Sequence, residues 1–470
     1  METLLVPIAV AVLAVLVLVA DIVPAEGNAR GSGVLAALGL AGVFGLAGMS
    51  PFGLGFGGAW SNDAFTVFVQ RLVLAAGALA CVASIDHSDR VYPKRQGEYY
   101  LLLLSSILGM TLLAGARDLV LLIVSFELMS IPQYVLAAIH KDGKLGVEGS
   151  TKLYLTGSIS AGLTIYGASF LVGVTGGTSL DAIALAPASP MLVLGLLLML
   201  AGVSYKLGAV PFHGWVPDTY QSGPAPFIAF LSVAPKAAGI AALIRLQGGP
   251  GGSVGELWGP VVLIICVLTM LVGNVLAIPQ TNVRRLLAWS GIGHAGLLLL
   301  GFFLDSSVGV GAILFYLATY VVSNLGAFFV AEAVGAQVGD ELPAWNGLAR
   351  RSPGLALAML LSILSLGGIP FVAGFWGKMF LFQTAWMAGN RWLVLTGAIL
   401  AVVSLFYYLK IARAMYVEPP SDTRPIAVGL PTQVAIALAL VGVVGLGLLP
   451  GPLWDYAQAG GAAVSAALLK

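Results

Sequence analysis

The chain has 470 residues, of which 59% are hydrophobic and 9% charged, with a mean hydropathy of +0.98 and a formal net charge of +1. A soluble globular domain carries about 25% charged residues, so this composition excludes one and describes an integral membrane protein. The near-zero charge provides no basic field that would draw nucleic acid.

The chain opens on "METLLVPIAVAVLAVLVLVADIVP". This segment lacks the basic flank of a signal peptide, and its apolar part is about 18 residues long. It reads as a spanning helix, with removal as a leader the alternative. About 20 mainly apolar residues cross a bilayer. On that measure spans are expected at 3–20, 32–49, 61–83, 99–115, 119–138, 153–174, 190–210, 224–245, 257–277, 285–303, 308–332, 353–380, 392–414 and 431–449. The fourth and fifth are divided only by "GARD" at 115–118. No stretch between helices is long enough for a soluble domain.

Basic residues test this count, because loops on the cytoplasmic side are enriched in Lys and Arg. Loops after odd-numbered spans, with their helix ends, hold fourteen: Arg30, Arg90, Lys94, Arg95, Lys141, Lys144, Lys152, Arg284, Arg285, Arg350, Arg351, Lys410, Arg413 and Arg424. Loops after even-numbered spans hold three, Arg117, Arg245 and Arg391. The asymmetry supports fourteen spans with both termini on the outer, non-cytoplasmic side. Arg71, Lys206, Lys236 and Lys378 remain deep in the spans. Cys81 and Cys266 sit in apolar runs without ligand spacing, and His87, His140, His213 and His294 are scattered. Nothing in the sequence supports a metal site.

The seventh span carries "GAVPF" at 208–212 and the twelfth "GGIPF" at 367–371. Pro211 and Pro370 each break a long apolar helix, since proline removes an N–H and clashes with the preceding turn. Such a break survives in a membrane only inside protein or beside water. A lysine flanks each break in opposite order, Lys206 before and Lys378 after. That order suggests two inverted repeats with discontinuous helices.

Glu127 lies in "LVLLIVSFELMSIPQYVLAAI", with apolar residues for more than two turns on either side. A charge at the bilayer centre costs about 2.5–3.5 kcal/mol on insertion scales, so it must face protein or water. It reads as a proton carrier or a partner of Lys206, against a neutral acid making one structural hydrogen bond. Lysine is the titratable choice for a switchable pair; snorkelling to the headgroups is the alternative for Lys206 and for Lys378. Lys236 follows Pro235 on the next helix, and is either another titratable site or structural. His294 is placed to pass a proton between Lys236 and Lys378, or is a packing histidine. His213 is a relay or a loop anchor. Trp215 reads as an interfacial anchor, and Pro217-Asp218 as a turn or helix start. Tyr316, Tyr320 and Asn324, four apart, form a polar stripe on one helix face that would join His294 to Lys378. Arg71 is expected to meet a carboxylate, with Asp63 the nearest in sequence. No nucleotide-binding loop is present. A row of buried ionisable groups on broken helices suits charge translocation powered from elsewhere.

The stretches "FELMSIPQYVLAA" (126–138), "GVSYKLGAVPFHGWVPDTYQSGPAPFIAFLSVAPKAAG" (202–239), "GNVLAIPQTNVRRLLAWSGIGHAGLLLLG" (273–301) and "LSLGGIPFVAGFWGKMFLF" (364–382) resemble the antiporter-like N subunits of bacterial NADH:quinone oxidoreductase, respiratory complex I. The resemblance covers most of residues 60–415. It implies an all-α polytopic membrane protein of about 14 transmembrane helices, with two inverted five-helix repeats and discontinuous helices 7 and 12. The expected division is 1–98 for helices 1–3, 99–250 and 251–415 for the two repeats, and 416–470 for helix 14. The resemblance makes Glu127, Lys206, Lys236 and Lys378 the proton-carrying positions, with proton movement coupled to quinone reduction elsewhere. It implies no cofactor in this chain, the flavin (FMN) and iron–sulfur clusters lying in partner subunits. The expected partners are antiporter-like subunits M and L, the small subunits K, J, A and H, and lipids; the expected place is the bacterial inner membrane. The alternative readings are an Mrp-type cation/proton antiporter subunit, a membrane-bound hydrogenase subunit, or a structural scaffold. The N-terminal region, rich in glycine and alanine, matches little of the family pattern.

Overall fold

The computed structural model describes residues 2–22, 29–92, 95–139, 144–248, 255–304, 307–420 and 424–468. His140 and Lys141 lie outside them. The first three spans are α1 (Leu5–Ile22), α2 (Ala29–Ala47) and α3 (Ala64–Val91). A short hairpin of β1 (Gly53–Gly55) and β2 (Trp60–Asn62) joins α2 to α3. Asp63 starts α3 by accepting from the Thr66 N–H at 2.8 Å, a side-chain cap for an otherwise unpaired helix donor. The narrow gap at 115–118 does separate two helices, α4 (Gln96–Ala114) and α5 (Leu119–Ala137). Asp118 is the reason, because its carboxylate caps Val120 N–H at 2.8 Å and forces a new start.

The chain continues through α6 (Lys144–Thr175), a short α7 (Leu180–Ala184) and α8 (Pro190–Leu207). The seventh span then breaks. Gly208 closes α8 at φ 67°, a left-handed conformation that favours glycine. After residues 208–214 the chain resumes as α9 (Trp215–Ser222). The eighth to eleventh spans are α10 (Ala225–Gly248), α11 (Gly255–Ala277), α12 (Val283–Leu300) and α13 (Ser307–Val338). A short α14 (Leu348–Arg351) leads to the second broken span, α15 (Pro353–Gly367) and α16 (Ala373–Met387), again closed by a left-handed glycine, Gly368 at φ 85°. The last spans are α17 (Arg391–Tyr416) and α18 (Leu430–Leu448).

Thirteen helices among the described residues are long and apolar enough to cross a membrane. The twelfth span adds two 15-residue halves. One element was not expected. After Leu449 and Pro450 the chain forms α19 (Gly451–Leu468), which packs along α13 and α3. Trp454 meets Phe315 at 5.8 Å between ring centres, while Gln458 reaches the Val308 carbonyl at 3.4 Å. It therefore runs antiparallel to α13. Gly460, Gly461 and a single Asp hid it, because its apolar stripe is short of a full span.

Burial is uneven. The most apolar windows of α10, α12 and α13 are 100%, 94% and 94% buried, whereas those of α1, α2, α6, α17 and α18 are 33–39% buried. The first group is an inner layer that other helices shield from lipid. Polar side chains on it face protein, which removes most of the cost of placing them at membrane depth.

Candidate proton path

The first cluster forms where α5 meets α8. Glu127, Ser130 and Tyr134 lie three and four residues apart, so they share one face of α5. Lys206, 8% exposed, donates from Nζ to Ser130 Oγ and, at 3.2 Å, to the Tyr134 hydroxyl. Ser130 in turn donates to the Phe126 carbonyl. Glu127 and Lys206 form no ion pair within 4.0 Å; both line a cavity of about 10 Å³. That is room for about one water. The expected carboxylate–lysine partnership is thus arranged across a small cavity, with a serine and a tyrosine holding the ammonium. Neither Ser130 nor Tyr134 was singled out in the sequence, although their spacing from Glu127 carried the signal.

The second cluster lies on the inner layer. Lys236, 1% exposed, donates to the Gly291 carbonyl at 2.6 Å and to the Tyr320 hydroxyl at 3.3 Å. The approach needs glycine: a Cβ at 291 would meet the ammonium at 2.9 Å. Pro235 is carried inside α10, which continues as one helix through it. His294 contacts the Tyr316 hydroxyl through Nδ1 at 2.6 Å and the Tyr408 hydroxyl through Nε2 at 3.1 Å. Tyr408 also bonds Ser290. A neutral imidazole with hydroxyls at both nitrogens can accept at one and donate at the other. The Tyr320 ring stands 5.0 Å from the His294 ring. Asn324 completes the stripe by donating to Ser232 Oγ at 2.6 Å. Tyr408 and Ser232 escaped the sequence reading because each sits on a different helix from the residue it serves, whereas Ser290, one turn before His294, was expected to leave room beside it for water.

The third cluster is at the twelfth-span break. Lys378, 6% exposed, donates to the Leu366 and Gly367 carbonyls at 2.8 and 2.9 Å. These are the carbonyls left unpaired at the end of α15. The lysine of one half-helix thus caps the other. Lys378 and His294 line a common cavity of about 10 Å³ with Asn274, Ser290, Ser404 and Tyr407. On its other side Lys378 lines an open groove of about 230 Å³ with Phe375, Met379 and Val402.

Three expectations need correction. Arg71 does not meet Asp63. It reaches the Tyr456 hydroxyl at 3.4 Å and lies over the Phe44 and Tyr456 rings, because α19 occupies the space beside it. Asp63 instead takes two bonds from Arg245 Nη2, at 2.9 and 2.8 Å. Trp215 is no interfacial anchor: it is 4% exposed, and its indole N–H donates to the Tyr205 carbonyl at 3.2 Å. His213 joins none of the three clusters. Its ring packs on Trp289 at 5.5 Å, which fits the loop-anchor alternative. Asp218 lies in the first turn of α9, and it binds Lys152 at 2.5 Å and Arg285 at 2.6 Å.

Residues 116–404 match the family NADH:quinone oxidoreductase/Mrp antiporter, TM. The chain is 41% identical over 440 residues to NADH-quinone oxidoreductase subunit N of Moorella thermoacetica, covering 92% of each chain. The chain belongs to this family. It is also 42% identical to subunit N of Heliobacterium modesticaldum, over 85% of both chains. Among solved structures, a chain of respiratory complex I from Thermus thermophilus with bound Aureothin superposes with a TM-score of 0.82 at 33% identity, over 96% of this chain and 98% of that one. A chain of the Mrp complex from Dietzia sp. shares the fold, with a TM-score of 0.87 at 20% identity over 100% of this chain and 98% of that one. The seventh and twelfth spans break where the sequence expectations put the breaks. The fold is all-α and polytopic, with discontinuous seventh and twelfth spans.

Proposed function

We propose that the chain is a membrane-arm subunit of NADH:quinone oxidoreductase that carries protons through Glu127, Lys206, Lys236, His294 and Lys378. Quinone reduction takes place in other subunits and drives the protonation changes here. The observation that carries the reading is the run Lys236–Tyr320, His294–Tyr316 and the His294–Lys378 cavity on the buried inner layer. Four basic side chains, each held by hydroxyls or carbonyls rather than by a carboxylate, are a costly arrangement in lipid and a useful one for proton exchange. Lys206 and Lys236 share no hydrogen-bond partner, so transfer between the first and second clusters needs water to enter.

The partners are the antiporter-like subunits M and L, the smaller membrane subunits K, J, A and H, and lipid. Flavin and iron–sulfur clusters belong to those partner subunits that handle electrons. The chain lies in the bacterial inner membrane with both termini on the outer side, a reading that the distribution of basic residues supports. The first repeat is taken as 99–250 and the second as 251–415, with residues 1–98 and 416–470 flanking them. An Mrp-type antiporter role is the second reading. The subunit N relatives at 41–42% identity favour the first.

The test is ΔpH formation in vesicles energised by NADH, with assembly of the whole complex checked in parallel. Lys206→Ala and Glu127→Ala are each expected to lower proton pumping by about tenfold or more while the complex still assembles. Normal pumping in both variants would remove the path.

A further inference from the structure

A buried carboxylate lies outside the path described above. Glu332 sits near the end of α13 that faces the basic loops; it is 7% exposed, and its Oε1 is 3.2 Å from His87 Nδ1 on α3. Its Oε2 is buried and has no hydrogen-bond partner. Such an oxygen is expensive to keep dry. Two cavities share this residue as a wall. One, of about 510 Å³, is bounded by His87, Lys144, Ser222, Arg284 and Asp340. The other, of about 230 Å³, is bounded by Arg30, Asp86, Asp89, Arg90 and Thr432. Both volumes are large enough for several waters. Arg284 and Asp340 are paired with each other at 2.6 Å, and Arg30 with Asp89 at 3.2 Å.

Inward from Glu332 along α13 the next polar residue of the stripe is Asn324, eight residues away, or about 12 Å of helix. Its Oδ1 is also buried and unpartnered, while its amide binds Ser232, whose backbone carbonyl accepts from Tyr320 at 3.3 Å. Tyr320 holds Lys236. Between the two orphaned oxygens stands Phe328, 1% exposed and packed on Tyr220 at 5.8 Å. A buried carboxylate at the mouth, an apolar plug and a carbonyl acceptor beyond it lie on one helix.

We infer that Glu332, paired with His87, is a proton-loading site that takes protons from the basic-loop side and feeds Lys236 by way of Asn324 and Tyr320. A water in either cavity gives a proton to the Glu332–His87 pair and leaves as hydroxide, or as water if it arrived as hydronium. The pair passes one proton inward through water admitted past Phe328, and returns to its starting charge. His87 serves as the positioning partner of the carboxylate. The proposal rests on the proton-carrying reading above.

The experiment compares Glu332→Gln, Glu332→Asp and Ala336→Trp in the intact complex, with Lys206→Ala and Glu127→Ala alongside, measuring NADH-driven ΔpH at several pH values on the basic-loop side. Ala336 is exposed and lines both cavities, so a tryptophan there narrows the mouths without replacing a titratable group. Glu332→Gln is expected to cut pumping at least fivefold at alkaline pH and less at acidic pH, where direct delivery compensates; Glu332→Asp should restore most of it. Ala336→Trp should slow pumping in the same sense. If Lys206→Ala abolishes pumping while Glu332→Gln and Ala336→Trp both pump normally at every pH, the loading site is wrong and the path stands. If Lys206→Ala and Glu127→Ala both pump normally, the path falls and the loading site with it. Should Glu332→Gln fail to assemble, Ala336→Trp decides: an unchanged pH profile refutes the site.

Discussion

Arg245 shows how one residue ties the flanking helices to the core. Its guanidinium, 7% exposed on α10, grips Asp63 at the start of α3, the Thr66 hydroxyl at 2.8 Å and the Ala114 carbonyl at 3.1 Å, so three helices meet on one side chain. Truncating it leaves a part-buried carboxylate, 19% exposed, unpaired, which costs about 1–3 kcal/mol; Arg245→Ala is expected to lower the thermal midpoint of the purified complex by several degrees. Burial opposes ionisation of Asp63, but Arg245 and the two bonds to Thr66 outweigh it and hold its carboxyl below 3.8. The pair's contribution is therefore complete above that ordinary value and is lost as pH falls through the lowered folded one. In Asp63→Asn that acid-side loss should be missing from the unfolding curve. Sequence could not pair these two, because 182 residues separate them. Lys206, Lys236, His294 and Lys378 were readable as single residues for the opposite reason: an ionisable group inside an apolar run needs no partner to attract notice. Their ligands, Ser130, Gly291, Tyr408 and the carbonyls of α15, look ordinary in any helix.

At the scale of the element, the two broken spans depend on backbone that only glycine adopts cheaply. Gly208 and Gly368 both end a helix at positive φ. An alanine there costs about 1–2 kcal/mol from conformation alone, and its Cβ would come within 2.7 Å of Val216 at the first site and 2.8 Å of the Lys378 side chain at the second. Gly368→Ala is expected to reduce pumping more than Gly208→Ala, because only the former displaces an ammonium; parallel ΔpH and assembly measurements separate the two. Proline and glycine together made these breaks legible. The antiparallel course of α19 was not, since its burial comes from neighbours distant in sequence.

Over the whole molecule, the arrangement is an inner layer of α10, α12 and α13 wrapped by helices that expose large apolar side chains such as Val402, Ile159 and Val441. The count and order of spans followed from hydropathy, while the layering did not, because inner and outer helices are similarly apolar. α19 closes one side of that layer. A chain ending at Pro450 would uncover Phe315 and Phe380, whose rings lie 5.8 and 4.1 Å from Trp454; it is expected to assemble poorly, read as loss of the intact complex on a native gel. The Lys378 clasp has a mechanical meaning at this scale. One ammonium fastens two rods end to end, so its charge and the angle between the rods are conjugate quantities. A push that opens the joint and a change in the lysine's protonation must each shift the other by an equal free energy, which makes the hinge a transducer between shape and charge.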